Sequence, residues 1–266
     1  MIFKATLFQC LALFLITGKL LASDYEEYNR ALQILEEPSP RAVVSSVASG
    51  FGASANSLYV AASYSNKDLQ TNVQGDDDGS IVVGTGLGNP KENFAYDIAV
   101  GITSVSTPWW GDGKFADEGN VNLKIHREVS PVFSGKVASL AFGASNIMGW
   151  GGTTQIPTNY YTAYSEKFLF GDFHHYGASI SIGYGTSVSD GESSADLFGG
   201  LGIARSNYNG SLSFIGNEAH VSATWYVPKI SGLAITLTRA DVWNRENTRR
   251  NILSIGYAFK LGAKKI

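Results

Sequence analysis

The residues best equipped for chemistry stand at every second position of one short run: Asn122, Lys124, His126 and Glu128. Side chains of a strand alternate between its two sides, so these four share one face while Val121, Leu123 and Ile125 share the other. Asp97 in the preceding strand-like run, His220 in a later one and Lys260 near the carboxyl end have the same parity against their apolar neighbours. Charges gathered on one polar face could tune which ions pass along a water-filled path. They could equally fill the interior of a narrow barrel and satisfy one another. The residues themselves leave both open.

Catalysis finds less support. A serine hydrolase needs a histidine to activate its nucleophile and a third group to orient the histidine. His126 and His220 are the candidate bases, with Ser222 two residues beyond His220, but no G-x-S-x-G elbow accompanies them, and the expectation is a protein that is not an enzyme. Asp76, Asp77 and Asp78 offer hard oxygens for Ca²⁺, yet they are adjacent rather than alternating, and a solvated turn accounts for them. His174 and His175 are neighbours whose rings would diverge in a strand. No metal and no cofactor are therefore expected. The one cysteine, Cys10, falls in the amino-terminal apolar run, so no thiolate chemistry is expected beyond it.

That amino-terminal run has the form of a secretory leader: Lys4, an apolar stretch over 5–16, then small Ala22 and Ser23 before acidic residues. We expect a signal peptide over 1–22 and a periplasmic lead-in over 23–56 containing a short helix or plug. A barrel should follow over 57–261, with a tail over 262–266. Beyond the leader no run is long and apolar enough for a transmembrane helix, and lipid admits only helices and closed barrels. Charged residues are 16% of the chain and the net charge is −3, so no basic field invites nucleic acid.

Two-residue alternation and turn residues predict about twelve strands: 57–65, 80–87, 94–105, 120–129, 136–147, 160–169, 175–187, 195–205, 211–215, 218–227, 233–243 and 251–261. Each carries an apolar face opposite a small or polar one, as in Leu253, Ile255, Tyr257 and Phe259 against Ser254, Gly256 and Ala258. A soluble sandwich would alternate in the same way, but the connections alternate between long and short, which suits external loops and periplasmic turns. The fold class expected is all-β: a single antiparallel transmembrane β-barrel. Trp109, Trp110, Tyr176, Tyr184, Tyr257 and Phe259 are expected at the membrane interfaces, where aromatic rings collect. Arg239 and Asp241 break the pattern, because they share the parity of Leu233, Ile235 and Leu237.

The runs GTGLGNP (84–90), NVNLKIHRE (120–128), VASLAFGASN (137–146), 231–242 and the closing ILSIGYAF (252–259) together resemble a group of bacterial outer-membrane barrel proteins of porin-like pattern. The resemblance covers most of the chain beyond the leader and rests on strand and turn signals. It implies a small passive channel for ions or polar solutes in the outer membrane of a Gram-negative-type bacterium. Outer-membrane lipids and the barrel assembly machinery would be its partners, and Phe259 would be its carboxyl-terminal aromatic signal. A non-conducting barrel with a structural or surface-binding role, or a secreted soluble β-sandwich, is the alternative. Oligomeric state is left open.

Overall fold

The structure is a computed structural model, and it describes residues 43–53, 56–67, 78–103, 115–170, 176–188, 195–245 and 249–260. Its strands are β1 (Ser57–Lys67), β2 (Asp78–Gly88), β3 (Ala95–Ile102), β4 (Gly119–Val129), β5 (Val137–Trp150) and β6 (Asn159–Phe170). They continue as β7 (Tyr176–Gly185), β8 (Asp196–Arg205), β9 (Tyr208–Ile215), β10 (Glu218–Tyr226), β11 (Leu233–Ala240) and β12 (Arg250–Lys260). Every strand pairs antiparallel with its sequence neighbours, and β1 pairs with β12, so the sheet closes into a twelve-stranded barrel. Closure leaves no strand edge unpaired. Each of the twelve runs expected from alternation is a strand, with ends moved by a few residues. β5 runs on to Trp150 because it bulges: the β4–β5 register slips between Val121 and Leu123, and Asn146 there has φ +56°.

Alternation along the strands becomes inside and outside. Tyr96, Ile98 and Val100 are exposed on the outer face of β3, whereas Ala95, Asp97 and Ala99 are buried within. On β7 the exposed pair is Ile182 and Tyr184, against buried Ser179 and Ser181. Inward hydroxyls meet across the ladder at directly opposed positions: Ser63 with Ser80 at 3.0 Å, Ser165 with Ser181 at 2.7 Å, Ser222 with Thr238 at 2.9 Å and Thr224 with Thr236 at 3.0 Å. A hydroxyl can both donate and accept, so each pair satisfies itself without water.

The charged interruption near residue 240 is resolved by backbone geometry. β11 stops at Ala240 and Asp241 takes φ +43°, which turns its side chain inward to full burial, where Oδ1 accepts the N–H of Arg245 at 2.9 Å. Only Arg239 stays outside, at the strand's end, where it donates to Asn251 Oδ1 at 2.8 Å.

One end of the barrel carries the connections 89–94, 130–136, 206–207 and 227–232; the other carries 115–118, 151–158, 241–245 and the tight turn at 216–217. We call these the turn end and the loop end. The candidate helix of the lead-in, Asp76, Asp77, Trp109, Trp110, His174 and His175 lie outside the described residues.

Candidate functional site

Closure of the ring has a consequence for any chain inside it: no edge is free, so an inserted backbone must find its hydrogen bonds among side chains. Residues 43–53 are such a chain. Val43, Val44, Val47, Ala48, Ser49 and Ala53 are all buried within the barrel, and a turn at 45–47, with Ser46 at φ +69°, reverses the segment there. It starts against the β9 wall, where the Val43 N–H donates to Asn209 Oδ1 at 3.1 Å and Asn209 Nδ2 returns a bond to the Val43 carbonyl at 3.2 Å. The Ser45 N–H reaches Ser211 Oγ at 3.1 Å. Val44, Val47 and Ala48 then pack against Tyr161, Ala163, Phe198 and Ile215.

Next the segment crosses to β6 and β4. The Gly50 N–H donates to Ser165 Oγ at 2.8 Å, Ser49 Oγ lies 3.3 Å from the same hydroxyl, and the Phe51 ring sits under the Lys167 ammonium at 4.7 Å. Lys124 Nζ donates to the Ser49 carbonyl at 3.2 Å and the Phe51 carbonyl at 2.5 Å. His126 Nε2 lies 3.0 Å from the Ala53 carbonyl, and because a carbonyl only accepts, that nitrogen carries the hydrogen. Contact is close enough to require glycine. A Cβ on Gly50 would collide with the Ser139 carbonyl, one on Gly52 with the Asp97 carboxylate, and one on Gly202 with the Val43 carbonyl.

Asp97, Lys124 and His126 therefore form one buried cluster. The β3–β4 register sets Asp97 opposite Lys124 and Ala95 opposite His126. Asp97 Oδ2 stands 3.7 Å from His126 Nε2 and 4.0 Å from Lys124 Nζ, both too long for hydrogen bonds. Neither Asp97 oxygen has a hydrogen-bond partner among the described residues. Lys124 and His126 spend their hydrogen bonds on the inserted segment, and the Asp97 carboxyl faces the Lys124 ammonium.

The other expected lining residues are placed apart from this cluster. Asn122 accepts the Asn146 N–H at 3.0 Å and donates to Asn120 at 2.8 Å, bracing the β5 bulge. Glu128 is half-buried near the turn end, and Lys260 is exposed where β12 ends. His220 is fully buried half-way round the ring on β10, 3.1 Å from Glu218 Oε2, while Ser222 bonds Thr238 and not His220.

Sequence reasoning missed the partners of the inserted segment, above all Ser165, Asn209 and Gly202. The available signal was the run 43–53 itself, rich in Ser, Ala, Val and Gly and without strand alternation, a composition that fits a narrow interior. Also missed was Glu166. It has outward parity yet is fully buried, because the 130–136 connection folds over it. Its carboxylate accepts the N–H groups of Val132 at 2.9 Å, of Phe133 and of Gly135, and the Tyr164 hydroxyl.

Outside, the barrel is apolar at mid-height and aromatic toward both ends. Val60, Val83, Ile98, Val100, Leu123, Ile182, Leu201, Leu212 and Leu237 are exposed in the middle. Phe94, Phe170, Tyr176, Tyr208, Trp225 and Tyr257 lie toward the turn end, with Phe259 packed 5.7 Å from Tyr257. Tyr160, Tyr184 and Phe214 lie toward the loop end, joined by Trp243 in the connection after β11, 5.7 Å from Phe214. A surface this apolar is unstable in water over so wide an area, and an apolar band between two aromatic girdles is what a bilayer accommodates.

Closed strands, an apolar outer wall and an occupied polar interior define the architecture of a membrane β-barrel. No family model and no curated protein matches the sequence. Among solved structures, the chain has 11% identity to a major outer membrane protein from Thermus thermophilus, over 76% of this chain and 99% of that one, with a TM-score of 0.13. So distant a likeness adds nothing to what the barrel's own geometry supports.

Proposed function

We propose that this chain is an outer-membrane β-barrel of a Gram-negative-type bacterium, not an enzyme, and that it passes ions or small polar solutes through a lumen held shut at rest by residues 43–53. The turn end then faces the periplasm and the loop end the exterior. One observation carries the proposal: the inserted segment joins no strand and is held by polar side chains of the wall. A plug bound in this way can leave without breaking the barrel, whereas a segment laddered into the sheet could not. The polar wall behind it, with its paired hydroxyls, is a surface that water can wet once the segment has moved.

A reversible lock tests this. Ser49 and Ser165 place their hydroxyls 3.3 Å apart, and the only native cysteine lies at position 10, in the expected leader. The Ser49→Cys/Ser165→Cys variant, refolded and placed in a planar bilayer, should show no conductance steps when oxidised and regain them on addition of dithiothreitol. Steps that ignore the redox state would remove the segment from any gating role. Correctly folded protein that never conducts, reduced or oxidised, would leave the non-conducting barrel.

A further inference from the structure

Five outward residues at the turn end line up across five neighbouring strands. The register opposes Phe170 to Tyr176, Tyr176 to Arg205, Arg205 to Tyr208, and Tyr208 to Trp225, so one transverse row crosses β6 to β10 with a single cation at its centre. Phe170 and Tyr176 stack, with centroids 5.9 Å apart and planes 9° from parallel. The Arg205 guanidinium lies over the Tyr176 ring at 5.3 Å. Arg205 is exposed, as are Phe170, Tyr208 and Trp225, and among the described residues no carboxylate pairs with it.

We propose that this row binds the headgroup phosphate of an anionic phospholipid in the periplasmic leaflet, a proposal that rests on the outer-membrane orientation above. Charge complementarity and position both favour that occupant. A guanidinium stays charged at any physiological pH, and its fork of donors matches two phosphate oxygens. The flanking rings are amphipathic bodies of the kind that settle at headgroup level. The row also continues directly into the apolar band, with Ile203 and Leu201 next on the outer face of β8, so acyl chains have a surface to follow. Among the described residues Arg205 has no carboxylate partner, and a phosphate would give it an anionic one.

The test uses the full refolded chain in phosphatidylcholine vesicles containing a minor share of phosphatidylglycerol. Insertion is scored by flotation, and retained lipid by native mass spectrometry after detergent extraction. The wild-type chain should carry one phosphatidylglycerol. Arg205→Gln should weaken retention about tenfold, the loss expected for a charge-assisted pair, and Arg205→Lys should fall between, keeping the charge without the fork. Tyr176→Leu should weaken it too, because the guanidinium loses the ring it lies over. Arg239→Gln, at the opposite end, should change nothing. Equal retention by wild type and Arg205→Gln would overturn the proposal, as would a lipid-free dimer that dissociates in Arg205→Gln, which would make the row a contact between copies of the chain. A chain that fails to float with vesicles would instead sink the membrane placement.

Discussion

Lys124 shows how a residue type at the right parity acquires a role its neighbours decide. A lysine buried in an apolar wall would be costly, and here two segment carbonyls take its hydrogen bonds while Asp97 balances its charge at 4.0 Å. Removing one member of a buried pair leaves the other uncompensated, at a cost of about 3–5 kcal/mol. Lys124→Met should therefore lower the denaturant midpoint at which the folded barrel is lost in detergent, and adding Asp97→Asn should recover much of that loss. A single variant as stable as the wild type would mean that water reaches Asp97. The same contacts bear on channel behaviour: with Lys124 engaged by the segment, its charge faces the plug and not an open path.

At the scale of a strand, alternation alone would make the two faces of β7 respond differently to arginine, with an inward cation tolerated wherever the lumen holds water. The structure alters that expectation. Ser181 is buried and its hydroxyl is bonded to Ser165, which also receives the Gly50 N–H, so an arginine at 181 would displace the inserted segment. Ile182→Arg should impair insertion, since a cation on the lipid face near the midplane costs about 2–4 kcal/mol. Ser181→Arg should insert but either fold poorly or conduct without the lock described above. Heat-modifiable mobility on gels separates the two, and equal insertion by both variants would contradict the assigned faces. Asn122→Arg falls under the same correction, because Asn122 is buried and holds Asn146.

For the whole molecule, strand parity sets both chain ends of the barrel on the turn end, with Ser57 opposite Lys260. An epitope tag placed near Asp77, between β1 and β2 in the sequence, or near Gly111, between β3 and β4, should be accessible on intact cells, and one within 89–94 should be hidden. Access at all three, or recovery of the chain as a soluble periplasmic protein, would undo the topology. Glu166 gives the turn end its own rigidity by gathering the N–H groups of the 130–136 connection around one carboxylate. Glu166→Gln should loosen that connection and speed its proteolysis in detergent while leaving the strands intact.

Strand number, order and facing were legible in the sequence, because each depends on local periodicity: a side chain's parity is decided by its own strand, and consecutive antiparallel strands need only short connections. The polar inward set containing Asp97, Lys124 and His126 was legible for the same reason. Two local departures were not, since the inward turn of Asp241 and the β5 bulge depend on a positive φ that no alternation pattern encodes. What only the tertiary structure decided is what those inward residues face. Whether Lys124 looks into water or onto the carbonyls of Ser49 and Phe51 depends on a segment 73 residues and more away in the chain, drawn in because the closed ring offers polar side chains and no free edge. The aromatic row around Arg205 arises in the same way, from register across five strands, a relation between residues that no single stretch of sequence contains.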